Sequence, residues 1–161
     1  MSSPSLMARL IEAAGKTSRA TVLDQSDFFT KDVLAQTDVP LINIMMGGTL
    51  DGGITPGSTM LVGDSRTFKT NYCLLHVASY LRRYPDAVCL FIDSEFGATK
   101  YFDSFGIDKS RVIHVPIENI EELKTQAVSM LEQINPKDRV IVLFDSMSQI
   151  ASKKEKQDAL D

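Results

Sequence analysis

Four strand-like runs, at residues 58–62, 87–92, 111–116 and 139–144, alternate with helix-patterned stretches through most of the chain beyond Pro40. Parallel strands cannot be joined by tight turns, so this alternation commits the chain to crossover connections and an α/β fold. The run at 87–92 is apolar at every position, as expected of a strand covered on both faces. A helix is predicted over about 69–83, stopped by Tyr84-Pro85-Asp86. A shorter one ends at Gly106, and another starts at Asn119, with Glu122 three residues on as in a capping box, and runs to Ile134 before Asn135-Pro136. The charged stretch 152–161 reads as a helical or frayed end. With 161 residues the chain is about one domain long and can bury a core.

The first 35 residues have a different texture and read as an arm. Pro4 at a helix start, Leu6, Met7, Leu10, Ile11 and Ala14 at helical spacing, and Gly15 as a stop predict a short amphipathic helix. Thr21-Val22-Leu23 is a short extended candidate, and Ser26 can cap a second small helix carrying Phe28, Phe29, Val33 and Leu34. Composition alone favours these faces folding back on their own domain over docking on a neighbouring subunit. The expected division is 1–35 for the arm and 36–161 for the core.

Charge and composition exclude several classes. Seventeen lysines and arginines against 21 aspartates and glutamates give a net charge of −4, which argues against coating nucleic acid by bulk charge. The longest apolar run has six residues, far short of the ~20 a membrane helix needs. The start, Met1-Ser2-Ser3-Pro4, lacks the pattern of a secretion signal. Cys73 and Cys89 each lie in an apolar stretch and read as buried free thiols of a reducing compartment. His76 and His114 have no companions at metal-ligand spacing, which speaks against zinc. Ser65 lies in no nucleophile elbow.

The chemistry concentrates at three strand ends. Gly63-Asp64-Ser65-Arg66-Thr67-Phe68-Lys69-Thr70 fits the phosphate-binding pattern G-x-x-x-x-G-K-[ST], except that Phe68 stands where the second glycine belongs. A strand before and a helix after are what such a loop requires, because backbone N–H groups and the helix dipole then converge on phosphates. Lys69 is expected to neutralise phosphate oxygens and Thr70 to hold Mg²⁺. Phe68 would be strained if its position needs a positive φ. Asp145 follows the run 139–144 and can serve the Mg²⁺, whereas many strands end in Asp merely to make a turn. Glu95 lies just past the run 87–92 and can orient an attacking water. In an open parallel sheet such ends gather along one edge, where ligands bind. Tyr101 is a candidate to stack on a base, with core packing as its plainer role. Lys153, Lys154 and Lys156 alternate with Glu155, Asp158 and Asp161, as on a solvated helix face.

These residues resemble a family. The chain is similar to the N-terminal part of the RecA-type recombinases, and within them to the UvsX-type recombinases of T4-like phages. The likeness rests on Ala8-Arg9-Leu10-Ile11, Asp27-Phe28-Phe29, Gly52-Gly53 to Gly57, Phe68-Lys69-Thr70, Tyr84-Pro85-Asp86-Ala87-Val88-Cys89-Leu90-Phe91, Asp93-Ser94-Glu95-Phe96-Gly97, Arg111-Val112-Ile113-His114, Phe144-Asp145-Ser146 and Ala151-Ser152-Lys153-Lys154-Glu155. The phage branch also carries phenylalanine at the Phe68 position.

The resemblance implies a RecA-like P-loop NTPase core with a parallel sheet, preceded by a small helical N-terminal arm. It implies an ATP-dependent DNA recombinase, a DNA-dependent ATPase of recombination and repair that carries out homologous pairing and strand exchange on single-stranded DNA. ATP and Mg²⁺ are the implied ligands, with Lys69 and Glu95 catalytic, residues 63–70 and Tyr101 on the nucleotide, and Thr70 and Asp145 on the metal. It further implies a homo-oligomeric helical filament, joined through the N-terminal helix and Arg19 to Leu23 of the arm, in the cytoplasm of a phage-infected host cell. Family members continue through two DNA-binding loops and further strands. One of those strands separates the loop strand from the Asp145 strand, so an incomplete sheet with a gap or exposed edge is expected, with little independent DNA binding. The competing reading is a non-catalytic nucleotide-binding or filament-interaction module. A P-loop kinase is a weaker third, since Glu95 sits where water would be activated and no arginine-bearing lid is evident.

Overall fold

A computed structural model describes residues 4–15, 20–22, 25 and 35–159. They fall into two compact units, Met1–Val33 and Leu34–Asp161. In the first, helix α1 (Leu6–Ala13) is capped by the Ser5 hydroxyl, which accepts from the Ala8 N–H, so Pro4 lies before the cap rather than at the helix start. Its residues are all exposed. Gly15, at φ 87°, takes the left-handed conformation that follows a helix end. The expected second small helix at 26–34 lies outside the described residues, as do Arg19 and Leu23.

The second unit is a three-stranded parallel sheet in the order β2-β1-β3, with β1 Val88–Asp93, β2 Val112–Pro116 and β3 Val140–Asp145. The α/β architecture read from the alternation is therefore present. Helix α2 (Pro40–Gly47) starts with proline at its first position. It stops at Gly48, whose φ of 76° is left-handed. Helix α3 (Lys69–Arg83) runs over the predicted residues. Helix α4 (Ile120–Leu131) is capped by the Asn119 side chain, which accepts from the Glu122 N–H. It ends three residues before Ile134, because Gln133 and Ile134 donate three residues back, to Met130 and Leu131, and tighten the last turn. Helix α5 (Lys153–Asp158) begins with a full capping box between Ser152 and Glu155. The short helix expected before Gly106 is two 3₁₀ turns, Ala98–Tyr101 and Asp103–Phe105.

Each face of the sheet has its own core. Leu74, Val77 and Leu81 of α3 pack with Cys89 and Phe91 of β1, Leu143 of β3, and Phe102 and Ile107. On the other face Ile92, Val115 and Ile117 meet Leu123, Ala127 and Met130, from α4. The central strand is buried at five of its six residues, whereas β2 and β3 are mostly part-exposed, as edge strands must be. Asp93 is in register with both Pro116 and Asp145, so the carboxyl ends of the three strands lie level.

One expected strand is missing. Residues 58–62 join no ladder, and Met60 and Val62 are 77% and 86% exposed. A strand exists by hydrogen bonding to a neighbour, and among the described residues this run has none. The outer edge of β3 is likewise unpaired among the described residues.

Candidate functional site

Glycines prepare the approach to the loop. A Cβ on Gly52 would lie 2.5 Å from the Asn43 carbonyl oxygen, and one on Gly53 2.4 Å from that of Ala35, so backbone segments pass there where no side chain fits. The loop then reaches α3 through Arg66 and Phe68, both left-handed, at φ 65° and 62°. The positive φ that makes glycine usual at this point of the motif is thus present, and Phe68 adopts it. The Thr67 hydroxyl donates to the Asp64 carbonyl at 2.7 Å and folds the loop on itself.

Lys69, first residue of α3, turns its ammonium back onto the loop and donates to the carbonyls of Gly63 at 2.8 Å and Asp64 at 2.7 Å. Thr70 beside it donates its hydroxyl to Asp145 Oδ2 at 2.8 Å, joining the start of α3 to the end of β3. Burial pushes the Asp145 carboxyl above the usual range. The Thr70 hydrogen bond pulls it back, Glu95 and Asp93 push it further up, and Lys69 lowers it again. The Thr70 hydroxyl and the Asp145 carboxylate thus stand side by side at the start of α3, and both are hard oxygens of the type Mg²⁺ takes.

Glu95 follows β1. Its carboxylate accepts from the Ser146 hydroxyl at 2.6 Å, and that hydroxyl also lies 2.9 Å from Ser148 Oγ. The two strand ends are stitched together there. The Ser94 N–H donates to the Asp145 carbonyl at 2.9 Å, its hydroxyl to the Ser146 carbonyl at 2.8 Å, and the Ser146 N–H to Ser94 Oγ at 3.0 Å. The Asp145–Ser146 peptide is cis.

A cleft of about 500 Å³ runs between these elements. Ser65, Arg66, Thr67, Phe68, Lys69 and Thr70 form one wall, and Glu95, Tyr101 and Asp145 the other. Gly63 and Asp64 are not part of the lining and serve it through Lys69. The Lys100 ammonium lies 5.0 Å from the centre of the Tyr101 ring. Glu95 and Asp145, at the ends of β1 and β3, therefore meet loop residues 65–70 and Tyr101 at the carboxyl edge of the sheet, although no strand leads into the loop among the described residues. Sequence reasoning missed Lys100 and Asn71, which also line the cleft, and the contacts of Ser146 with Glu95 and of His114 with Asp93. Ser146 could have been found from its place after Asp145. The others depend on register and helix phase.

No protein-family model matches the chain. It is 45% identical over 158 residues to the "Recombination and repair protein" of Enterobacteria phage T4, an alignment that takes in 97% of this chain and 40% of that protein. The chain thus spans two fifths of the length of the curated relative it matches. Among the described residues, no helix is long and apolar enough to cross a membrane.

Proposed function

We propose that this chain binds ATP with Mg²⁺ in the cleft at the carboxyl edge of its sheet and is the ATP-hydrolysing part of a RecA-type DNA recombinase acting in recombination and repair. The observation that carries this reading is the convergence of Lys69, Thr70, Asp145 and Glu95 from three elements on one cleft. A loop of backbone amides ahead of a helix N-terminus favours a polyanion, and the Lys69 ammonium can exchange its two loop carbonyls for phosphate oxygens. Thr70 and Asp145 are the metal donors. Bound Mg²⁺ neutralises phosphate charge. Glu95, fixed by Ser146, holds a water and takes its proton, and Tyr101 offers a face for the adenine.

The phage relative's name supports recombination and repair as the setting. Within this reading the active form is a homo-oligomeric filament on single-stranded DNA in the cytoplasm of the infected host cell. The exposed Leu6, Met7 and Leu10 of α1 are the surface for self-association. A second reading, a non-catalytic nucleotide-binding or filament-interaction module, is favoured by the unpaired residues 58–62, which leave the loop's entry without a sheet neighbour among the described residues.

Steady-state ATP hydrolysis by the full chain, with and without single-stranded DNA, tests the choice. Lys69→Ala is expected to lower turnover about 100-fold, the scale for removing a charge-stabilising donor. Turnover by the native chain no greater than that of Lys69→Ala removes the enzymatic reading and leaves the interaction module.

A further inference from the structure

The buried carboxylate beside Glu95 has no part in the scheme above, and its hydrogen bonds point at the residue that does. Asp93 ends β1 with its side chain fully buried. Burying a carboxylate is costly unless hydrogen bonds compensate it. Two of its bonds come from the turn carrying the glutamate: Asp93 Oδ1 accepts from the Glu95 N–H at 3.0 Å and the Phe96 N–H at 2.7 Å. Phe96 is left-handed, at φ 58°. Such a conformation persists only where its surroundings over-determine it. The backbone of Glu95 is thus held from below by Asp93 while its carboxylate is held by Ser146.

The other carboxylate oxygen leads to β2. Asp93 Oδ2 lies 3.0 Å from His114 Nε2. His114 is in register with Phe91, and the two rings stack at 5.3 Å with 23° between their planes, which sets the direction of Nε2. The His114 side chain is 42% exposed, so packing alone makes little demand on it. A phenylalanine would stack equally well. What histidine adds is the hydrogen bond to Asp93.

We propose that Asp93 and His114 form a positioning pair for Glu95, with His114 fixing the Asp93 carboxylate and Asp93 fixing the turn that aims the glutamate into the cleft. This rests on the reading of Glu95 as the water-activating carboxylate. The hydrogen bonds of the pair run to the turn carrying Glu95, whereas Lys69 and Thr70, on α3, are held by the loop and by Asp145. Losing the pair therefore affects the rate of the chemical step and leaves nucleotide capture intact.

The test combines Mg-ATP hydrolysis with amide exchange at Glu95 and Phe96, in the native full chain, His114→Phe, His114→Gln and Lys69→Ala. His114→Phe keeps the ring stack and removes the donor. It is expected to lower kcat about 10-fold, within the scale for displacing a catalytic group by less than an ångström, with KM within about twofold. Exchange at the two amides is expected to rise. His114→Gln restores an N–H at similar reach and is expected to recover most of the rate and protection, which a purely structural role does not predict. Unchanged kcat or unchanged exchange in His114→Phe, with the native chain active, overturns the pair and leaves the ATPase reading standing. A native chain no faster than Lys69→Ala overturns the ATPase reading, and the positioning of a catalytic glutamate falls with it.

Discussion

Phe68 holds an unfavourable backbone conformation with an exposed side chain. Its φ of 62° and ψ of 22° are left-handed, and the residue is 68% exposed. Burial therefore returns little of the about 1–2 kcal/mol that an L residue forfeits in that conformation. Arg66 shares it on the same loop, and Phe96 adopts it on the turn after β1. Backbone outliers of this kind gather at ligand sites. Phe68→Gly is expected to stabilise the chain by about 1 kcal/mol, raising Tm by about 2–4 °C in calorimetry, the usual response at this chain length. A lower Tm would assign the ring a contact that outweighs its backbone cost. The strain was legible in the sequence, since the loop pattern wants glycine where phenylalanine stands. The Asp93–His114 bond was not: 21 residues separate the two, and only the register of β1 with β2 puts them on one face.

Arg111, just ahead of β2, governs how the elements join. Its guanidinium donates to the carbonyls of Leu81 at 2.9 Å, of Tyr84, and of Ala87 at 2.8 Å from one nitrogen and 3.0 Å from another. These carbonyls close the end of α3 and the turn into β1, where a helix leaves acceptors without intrahelical donors. Hydrogen bonds from a charged donor contribute about 1.5–3 kcal/mol. Arg111→Ala is expected to destabilise the chain by about 2 kcal/mol, read as a lower urea midpoint at unchanged slope. Because Arg111 acts at the amino edge of the sheet, nucleotide affinity should be unaltered by the same substitution. A loss of affinity would mean that the α3–β1 junction sets the loop's geometry. Sequence pattern located α3 and α4 because each has a polar face and recognisable stops. It passed over α2, whose Leu41, Ile42, Ile44, Met45 and Met46 give no helical period, although Pro40 and Gly48 marked both ends. It assigned 58–62 a strand that local residues cannot make alone, since a ladder partner is not a local property.

For the second unit as a whole, the decisive quantity is the number of strand edges it presents. The sheet has β2 and β3 at its borders, and β3 is unpaired on its outer side among the described residues. Residues 58–62 add a further unpaired run with exposed apolar side chains. Exposed edges with apolar side chains pair with other chains unless charge or covering prevents it. The full chain at tens of micromolar is therefore expected to associate in a concentration-dependent way, measured by sedimentation velocity. Met60→Lys with Val62→Lys places two charges on the run and should shift the distribution toward monomer, leaving the Lys69–Thr70–Asp145 contacts in place. Monomer at every concentration in the native chain would show the edge to be covered. Association that survives the double substitution would instead locate the contact elsewhere, and the exposed Leu6, Met7 and Leu10 of α1 are the surface to change next. The two outcomes separate an edge that recruits strands from an arm that docks as a helix.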